Sequence, residues 1–343
     1  MTGKENIIRA IEFKNPEYLP IELGFAPEWM RERNEGKESR INELLGLLKH
    51  DILNPSSFVH AIGEVKKDKD RSSWVDEWGT GWEDDGFGTK AVSFPLEEGY
   101  EQLEGYAFPD SILGPHICYS DKLKSHDGTK YLRANVWFTL FERLWMLRGF
   151  ENMLMDPYIE RENFEHLRDR IVEFNLQRID QWLEYKVDGI YFSDDWGTQR
   201  GLLINPEDWR KYYKPAYIKM FRRVRDAGAH VFMHLCGNII DILPDLIEIG
   251  LNVLNPIQPQ AMDINKVDAE FGGKVCFLGG VDVQGTLINA KPSEVKQEVF
   301  SLVKLLGRHN GGYIGTTSHT IMPETPLDNI IAMFEAFLEV QGG

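Results

Sequence analysis

Residues 189–235 read GIYFSDDWGTQRGLLINPEDWRKYYKPAYIKMFRRVRDAGAHVFMHL, and this stretch decides the fold. The apolar pentad 189–193 reads as a strand. A polar loop follows, then a helix predicted over 206–227, with proline in its first turn and Gly228 closing it. Residues 230–235 form a second apolar strand. Strand, helix and strand in this order are the unit of a mostly parallel sheet. The same alternation runs outward in both directions. Strands are predicted at 18–23, 51–54 and 131–139 on the N-terminal side, and at 252–257, 275–279 and 312–316 on the other. Helices are predicted at 241–249, 292–306 and 326–340. Eight strands with helices between most of them predict an α/β chain, a single (β/α)8 TIM barrel occupying 1–343 as one domain. One region departs from the alternation. Residues 74–104 are rich in Trp, Gly and Asp and predict a hairpin inserted between the second and third strands, either shaping the barrel mouth or forming a surface excursion.

The composition fits that size. The chain has 343 residues, 42% of them hydrophobic and 12% aromatic, enough for a large core. A net charge of −16 argues against non-specific binding to nucleic acid or anionic membranes. Three cysteines (Cys118, Cys236 and Cys276) do not make a disulfide framework and fit a reducing cytoplasm. The first residues lack the apolar segment of a secretion signal, and no apolar run approaches the ~20 residues of a membrane span.

Within this frame His234-Leu235-Cys236-Gly237 carries the chemistry. Side chains alternate along a strand, so an imidazole and a thiol two residues apart leave it on one side. They do so at the C-terminal mouth, where barrel enzymes work. Two such donors point to zinc or a similar metal, against a bland reading as a buried thiol beside a hydrogen-bonded histidine. Other strand ends are also polar: Asp194 to Gln199, Asn255 to Gln258, Gly279 to Gln284, and Thr316 to His319. Each has a structural alternative. Asp194, Asp195 and Asp282 suit loop caps, Asp208 suits a capping box with Asn205, and Cys276 suits an apolar strand interior. Five polar strand ends in register favour an active site.

These stretches, together with Met322-Pro323-Glu324-Thr325-Pro326, resemble the uroporphyrinogen decarboxylase superfamily along the whole chain. The resemblance implies a (β/α)8 barrel and two branches: porphyrinogen decarboxylases, which use no metal, and cobalamin-dependent methyltransferases, which bind zinc. The decarboxylase branch follows its first strand with an arginine-rich run that neutralises substrate carboxylates. The corresponding residues here, Phe25 to Arg33, interleave two arginines with glutamates. His234-x-Cys236 is similar to the first two zinc ligands of the thiol methyltransferases, whose third ligand is a cysteine near the end of strand eight. This chain has His319 there. A second similarity is to the first methyltransferases of anaerobic aryl-ether O-demethylases, with an Asp, 27 residues, Cys, 39 residues, Cys pattern. Asp208, Cys236 and Cys276 reproduce both gaps. Two ligand sets therefore stand open, Asp208, Cys236, Cys276 or His234, Cys236, His319.

The resemblance implies transfer of a methyl group from a small aromatic methyl ether to a corrinoid. Cobalamin would arrive on a separate corrinoid protein, because the barrel uses the entire chain. Asp194, Asp195 and Asp282 are the expected acids or carboxylates orienting His234. Gln199, Gln258 and Gln284 are expected to bind substrate, and Trp29 and Trp196, with Met30 and Trp209, to wall the ring. A homodimer is compatible with this reading. The alternatives are a metal-independent decarboxylase, a methyltransferase for methylthiol, methanol or methylamine, and a barrel that binds a corrinoid protein or an aromatic ligand without turnover.

Overall fold

A computed structural model describes residues 1–23, 36–55, 73–84, 89–110, 123 and 126–342. Its main sheet has seven parallel strands: β1 (Ile52–Leu53), β5 (Tyr131–Val136), β6 (Gly189–Ser193), β7 (His230–His234), β8 (Val253–Asn255), β9 (Cys276–Val281) and β10 (Tyr313–Thr317), adjacent in that order. Where an eighth strand is expected at 18–23, only Ile21 bridges to Gly315, with backbone bonds from Glu22 to Gly315 and from Gly315 to Pro20. Side chains stitch this segment to the opposite edge of the sheet. The Gln341 carboxamide donates to the carbonyls of Leu19 and Lys49, each at 2.9 Å, and Tyr18 Oη donates to Asp51 at 2.6 Å. The curled sheet, flanked by helices, is TIM-barrel-like.

Alternation sets which residues fill the barrel. Tyr131, Tyr191, Phe232, Val253, Cys276, Leu278 and Ile314 form one apolar cluster with Ile7 and Ile11 of the first helix, Gly3–Ile11. The intervening residues, among them Ile190, Val231, Met233, Leu254 and Phe277, pack in the larger core that includes the surrounding helices. One pair breaks the apolar filling. Arg133 and Glu22 are almost fully buried and joined by two hydrogen bonds of 2.8 and 2.6 Å, and the Arg133 guanidinium lies 4.4 Å over the Tyr191 ring.

Strand and helix ends shift by one to three residues from expectation, as frayed ends do. The helix expected over 206–227 departs more. It begins as the short turn Pro206–Asp208, widens into a π turn at Trp209–Tyr213, and becomes regular only over Lys214–Asp226. Pro215 explains this, since it has no N–H to donate and its ring crowds the carbonyl four residues earlier.

Among the described residues between β1 and β5 the chain forms three antiparallel strands rather than the two of a hairpin: β2 (Ser73–Val75), β3 (Gly81–Asp84) and β4 (Thr89–Ser93). Trp82 fastens them to the barrel. It is stacked between Trp74 and Phe138 and donates from Nε1 to the buried Asp76 carboxylate at 3.0 Å.

Candidate metal centre

The pairing of β7 with β8 sets His234 beside Asn255, and that of β8 with β9 sets Val253 beside Cys276. His234 is therefore the last inward-facing residue of its strand, and Cys236 continues the same face beyond it. Cys276 shares the layer of Phe232, two inward positions below Cys236. At ~3.3 Å per residue this is roughly 13 Å along the strand.

The side-chain nitrogen of His234, Cys236 Sγ and a ring nitrogen of His319 all lie within 4.8 Å of one another. His234 Nε2 is 3.3 Å from Cys236 Sγ. Ligand atoms around a tetrahedral zinc with ordinary bond lengths are about 3.5 Å apart, so this sulfur and these nitrogens suit the ion in type and spacing. Among the described residues this is the one group of three such side chains close enough to share a metal. The structure brings together this ligand set and not the other. Cys276 is fully buried in the apolar cluster, and Asp208 accepts a 2.6 Å bond from Tyr158 on its helical turn.

The surroundings of Cys236 hold it in place. Asp195 Oδ1 accepts from the Cys236 amide at 2.9 Å and lies 3.7 Å from His234 Nε2. Gln258 accepts from the Gly237 amide at 2.6 Å and turns its Nε2 toward Cys236 Sγ at 3.8 Å. Burial and the nearby Asp195 charge push the Cys236 thiol well above its usual range. A bound cation supplies the opposite charge and displaces that proton. His319 is exposed at the rim, and desolvation by the side chains packed around its ring, with the neighbouring His234, lowers its imidazole.

The other expected acids have different surroundings. Asp194 is fully buried and accepts from the backbone amides of Leu140 and Glu142, both at 2.8 Å, and from Tyr217 Oη. It thus holds the start of the helix Phe141–Arg148. Burial pushes its carboxyl up to about 7, against the pull of those bonds. Asp282 accepts from Gln260 Nε2 at 2.6 Å and from the Gln284 amide at 2.9 Å, anchoring the loop after β9. Gln199 and Gln284 are exposed and meet each other at 3.3 Å.

Trp196 requires a correction. It is fully buried, stacked on Phe141 at 4.0 Å and hydrogen-bonded to Tyr217, so it is core and not a wall for a ligand. The helix that begins at the π turn folds Trp209, Tyr213 and Tyr217 onto it. Trp209 is likewise fully buried. Trp29 and Met30, and the whole Phe25 to Arg33 run, lie outside the described residues.

Two residues were not anticipated from sequence. Glu142 is buried, accepts from Ser193 Oγ at 3.2 Å, and is raised well above the carboxylate range by burial and by the charges of Asp195 and Asp194. An acid inside the apolar run Leu140 to Leu147 was the available signal. Tyr191, which reads as ordinary strand filling, donates to Asn255 Oδ1 at 2.5 Å beneath His234.

The loops after β6 and β7 touch through glycine. Gly237 has φ +83°, and a Cβ there would collide with the Gly197 carbonyl; a Cβ on Gly197 would meet the Cys236 carbonyl oxygen. Gly237→Ala is expected to cost about 1–2 kcal/mol for the left-handed backbone and about 1–3 kcal/mol for the clash. The check is a urea denaturation midpoint clearly below that of the wild type. An unchanged midpoint would contradict the contact.

Comparison with known proteins agrees with this architecture. The family model "Uroporphyrinogen decarboxylase (URO-D)" matches residues 138–340. The uroporphyrinogen decarboxylase of Thermus thermophilus is 26% identical over 187 residues, 53% of this chain and 50% of that protein. That of Nostoc punctiforme is 23% identical over 186 residues, 54% and 49% of the two chains. The chain thus spans about half the length of the curated relatives it matches. A solved structure of a methyltransferase from Methanosarcina mazei superposes with a TM-score of 0.71 at 16% identity, covering 99% of both chains, which establishes the shared fold. With strands β6 to β10 and the His234, Cys236 and His319 positions all inside the matched span, the chain belongs to the uroporphyrinogen decarboxylase family.

Proposed function

We propose that the protein is a zinc-dependent methyltransferase that moves a methyl group from an aryl methyl ether to a corrinoid carried by a separate protein. One observation carries the reading: His234, Cys236 and His319 converge at the barrel mouth with donor atoms within 4.8 Å. A thiol paired with two imidazoles serves a cation, and a metal-free decarboxylase has no use for it. When bound, zinc supplies Lewis acidity toward an ether oxygen, which eases departure of the phenolate.

The chain's own residues do the rest. Asp195 bonds to the Cys236 amide and stands beside His234 Nε2, placed to exchange a proton with the departing oxygen. Gln258 holds the loop that presents the thiol. Gln199 and Gln284, joined across the rim, are the amides offered to a substrate hydroxyl. Asp194 and Asp282 act by fixing the loops that carry these groups.

The names of the relatives favour a second reading, a decarboxylase of a tetrapyrrole. Charge disfavours it. The mouth carries the partly exposed Asp195 carboxylate, and the guanidinium of Arg133 is already taken by Glu22. A polycarboxylate substrate would meet repulsion there.

The test mixes the protein with a reduced corrinoid carrier and a panel of donors: methoxyarenes, methanol, methylamine and a methylthiol. Methylation of the corrinoid, read from its absorbance, is expected with methoxyarenes alone. Transfer only from another donor would replace the proposed substrate. No transfer, with carbon dioxide released from a porphyrinogen, would replace the reaction.

A further inference from the structure

The barrel interior fixes which nitrogen of His234 faces the site, and Asn255 does the fixing. Asn255 is fully buried. Its Nδ2 donates to the Leu278 carbonyl at 2.9 Å, which leaves Oδ1 facing His234 and Tyr191. That oxygen can only accept. It lies 2.7 Å from His234 Nδ1 and 2.5 Å from Tyr191 Oη. A bare Nδ1 lone pair at 2.7 Å from a carbonyl oxygen would be repulsive, so Nδ1 must carry hydrogen. The lone pair of the neutral ring is then on Nε2, the nitrogen 3.3 Å from Cys236 Sγ.

Tyr191 strengthens the arrangement. Its hydroxyl donates to the same Oδ1 and lies 3.1 Å from His234 Nδ1. Its ring rests against Arg133, which Glu22 grips with two bonds. The acceptor beneath His234 therefore sits on a floor with little freedom to move.

We infer that Asn255 is a positioning residue that locks His234 in the Nδ1–H tautomer and turns Nε2 toward Cys236. The zinc consequence rests on the function proposed above; the tautomer does not. A hydrogen-bond partner of this kind is typically worth about 10–100-fold in metal affinity.

The experiment uses the full chain labelled with ¹⁵N-histidine, at a pH where His234 is neutral, with the resonance assigned by its loss in His234→Gln. Wild type is expected to show a protonated, pyrrole-like Nδ1 and an unprotonated, pyridine-like Nε2. In Asn255→Leu that pattern should be lost and zinc affinity, measured by chelator competition, should weaken about 10–100-fold. Asn255→Asp, buried and protonated, keeps an acceptor toward His234 and an O–H donor toward the Leu278 carbonyl, and should retain both the pattern and the affinity, which a merely structural role would not predict. A wild-type spectrum with hydrogen on Nε2 overturns the inference, even if Asn255→Leu fails to fold. So does a folded Asn255→Leu with wild-type tautomer and affinity. A wild type that shows the Nδ1–H pattern but takes up no zinc instead overturns the proposed function and leaves the role of Asn255 standing.

Discussion

Cys236→Ser is expected to reduce bound zinc from about one ion per chain to a small fraction of that, and to remove methyl transfer with it. Serine matches the thiol in shape but offers a hydroxyl that stays protonated at neutral pH. The two imidazoles that remain do not make a structural or catalytic zinc set on their own. With zinc removed from both proteins, the same substitution should leave the urea midpoint close to wild type, because Asp195 and Gln258 grip the backbone around position 236 and not its sulfur alone. Metal analysis of the purified proteins checks the first result. A variant with full zinc content and full activity would end the proposal. The wild-type site should also be pH-dependent in one direction. Burial and Asp195 raise the thiol, so binding must displace its proton, and affinity should rise with pH. Each proton displaced changes the apparent constant by about tenfold per pH unit until the unbound thiol itself ionises.

The second large effect lies lower in the barrel. Glu22→Leu would leave the Arg133 guanidinium buried without its counter-charge, a change that typically costs about 3–5 kcal/mol. The double variant Glu22→Leu with Arg133→Met removes both charges and is expected to recover most of that loss, since apolar replacement of a buried pair is often neutral or stabilising. Urea denaturation of the two single variants and the double completes the cycle. A Glu22→Leu protein as stable as wild type would show that the pair contributes nothing.

Much of the architecture follows from periodicity alone. The alternation of apolar pentads with amphipathic stretches gives the parallel order, because each strand must bury both faces. His234 and Cys236 were legible for the same reason, since the two-residue repeat puts them on one face, whereas His319 entered only as a polar strand end in one of two ligand sets left open. Linear spacing was a weaker guide. The intervals from Asp208 to Cys236 to Cys276 match a known pattern, yet strand register drops Cys276 two layers into apolar filling. Trp196, beside two aspartates at a strand end, reads as a ligand wall. The helix that follows the loop instead delivers Trp209, Tyr213 and Tyr217 to bury it, a packing that the loop's own residues do not announce. Tyr191 was hidden, and Asn255 was visible only as a polar strand end without its role, for the opposite reason. Their role depends on neighbours from three different strands, which no single stretch of sequence displays.

The meeting of Gly197 with Gly237 sets a boundary for anyone wishing to redesign what this barrel accepts. Two turns welded main chain to main chain behave as one hub, and lengthening either would pull the thiol out of alignment with its imidazoles. Variation belongs farther out, at the exposed Gln199 and Arg200 and around Gln284, where a library can reshape the rim while leaving the bonds of Gly201 and Leu203 to the hub turn in place.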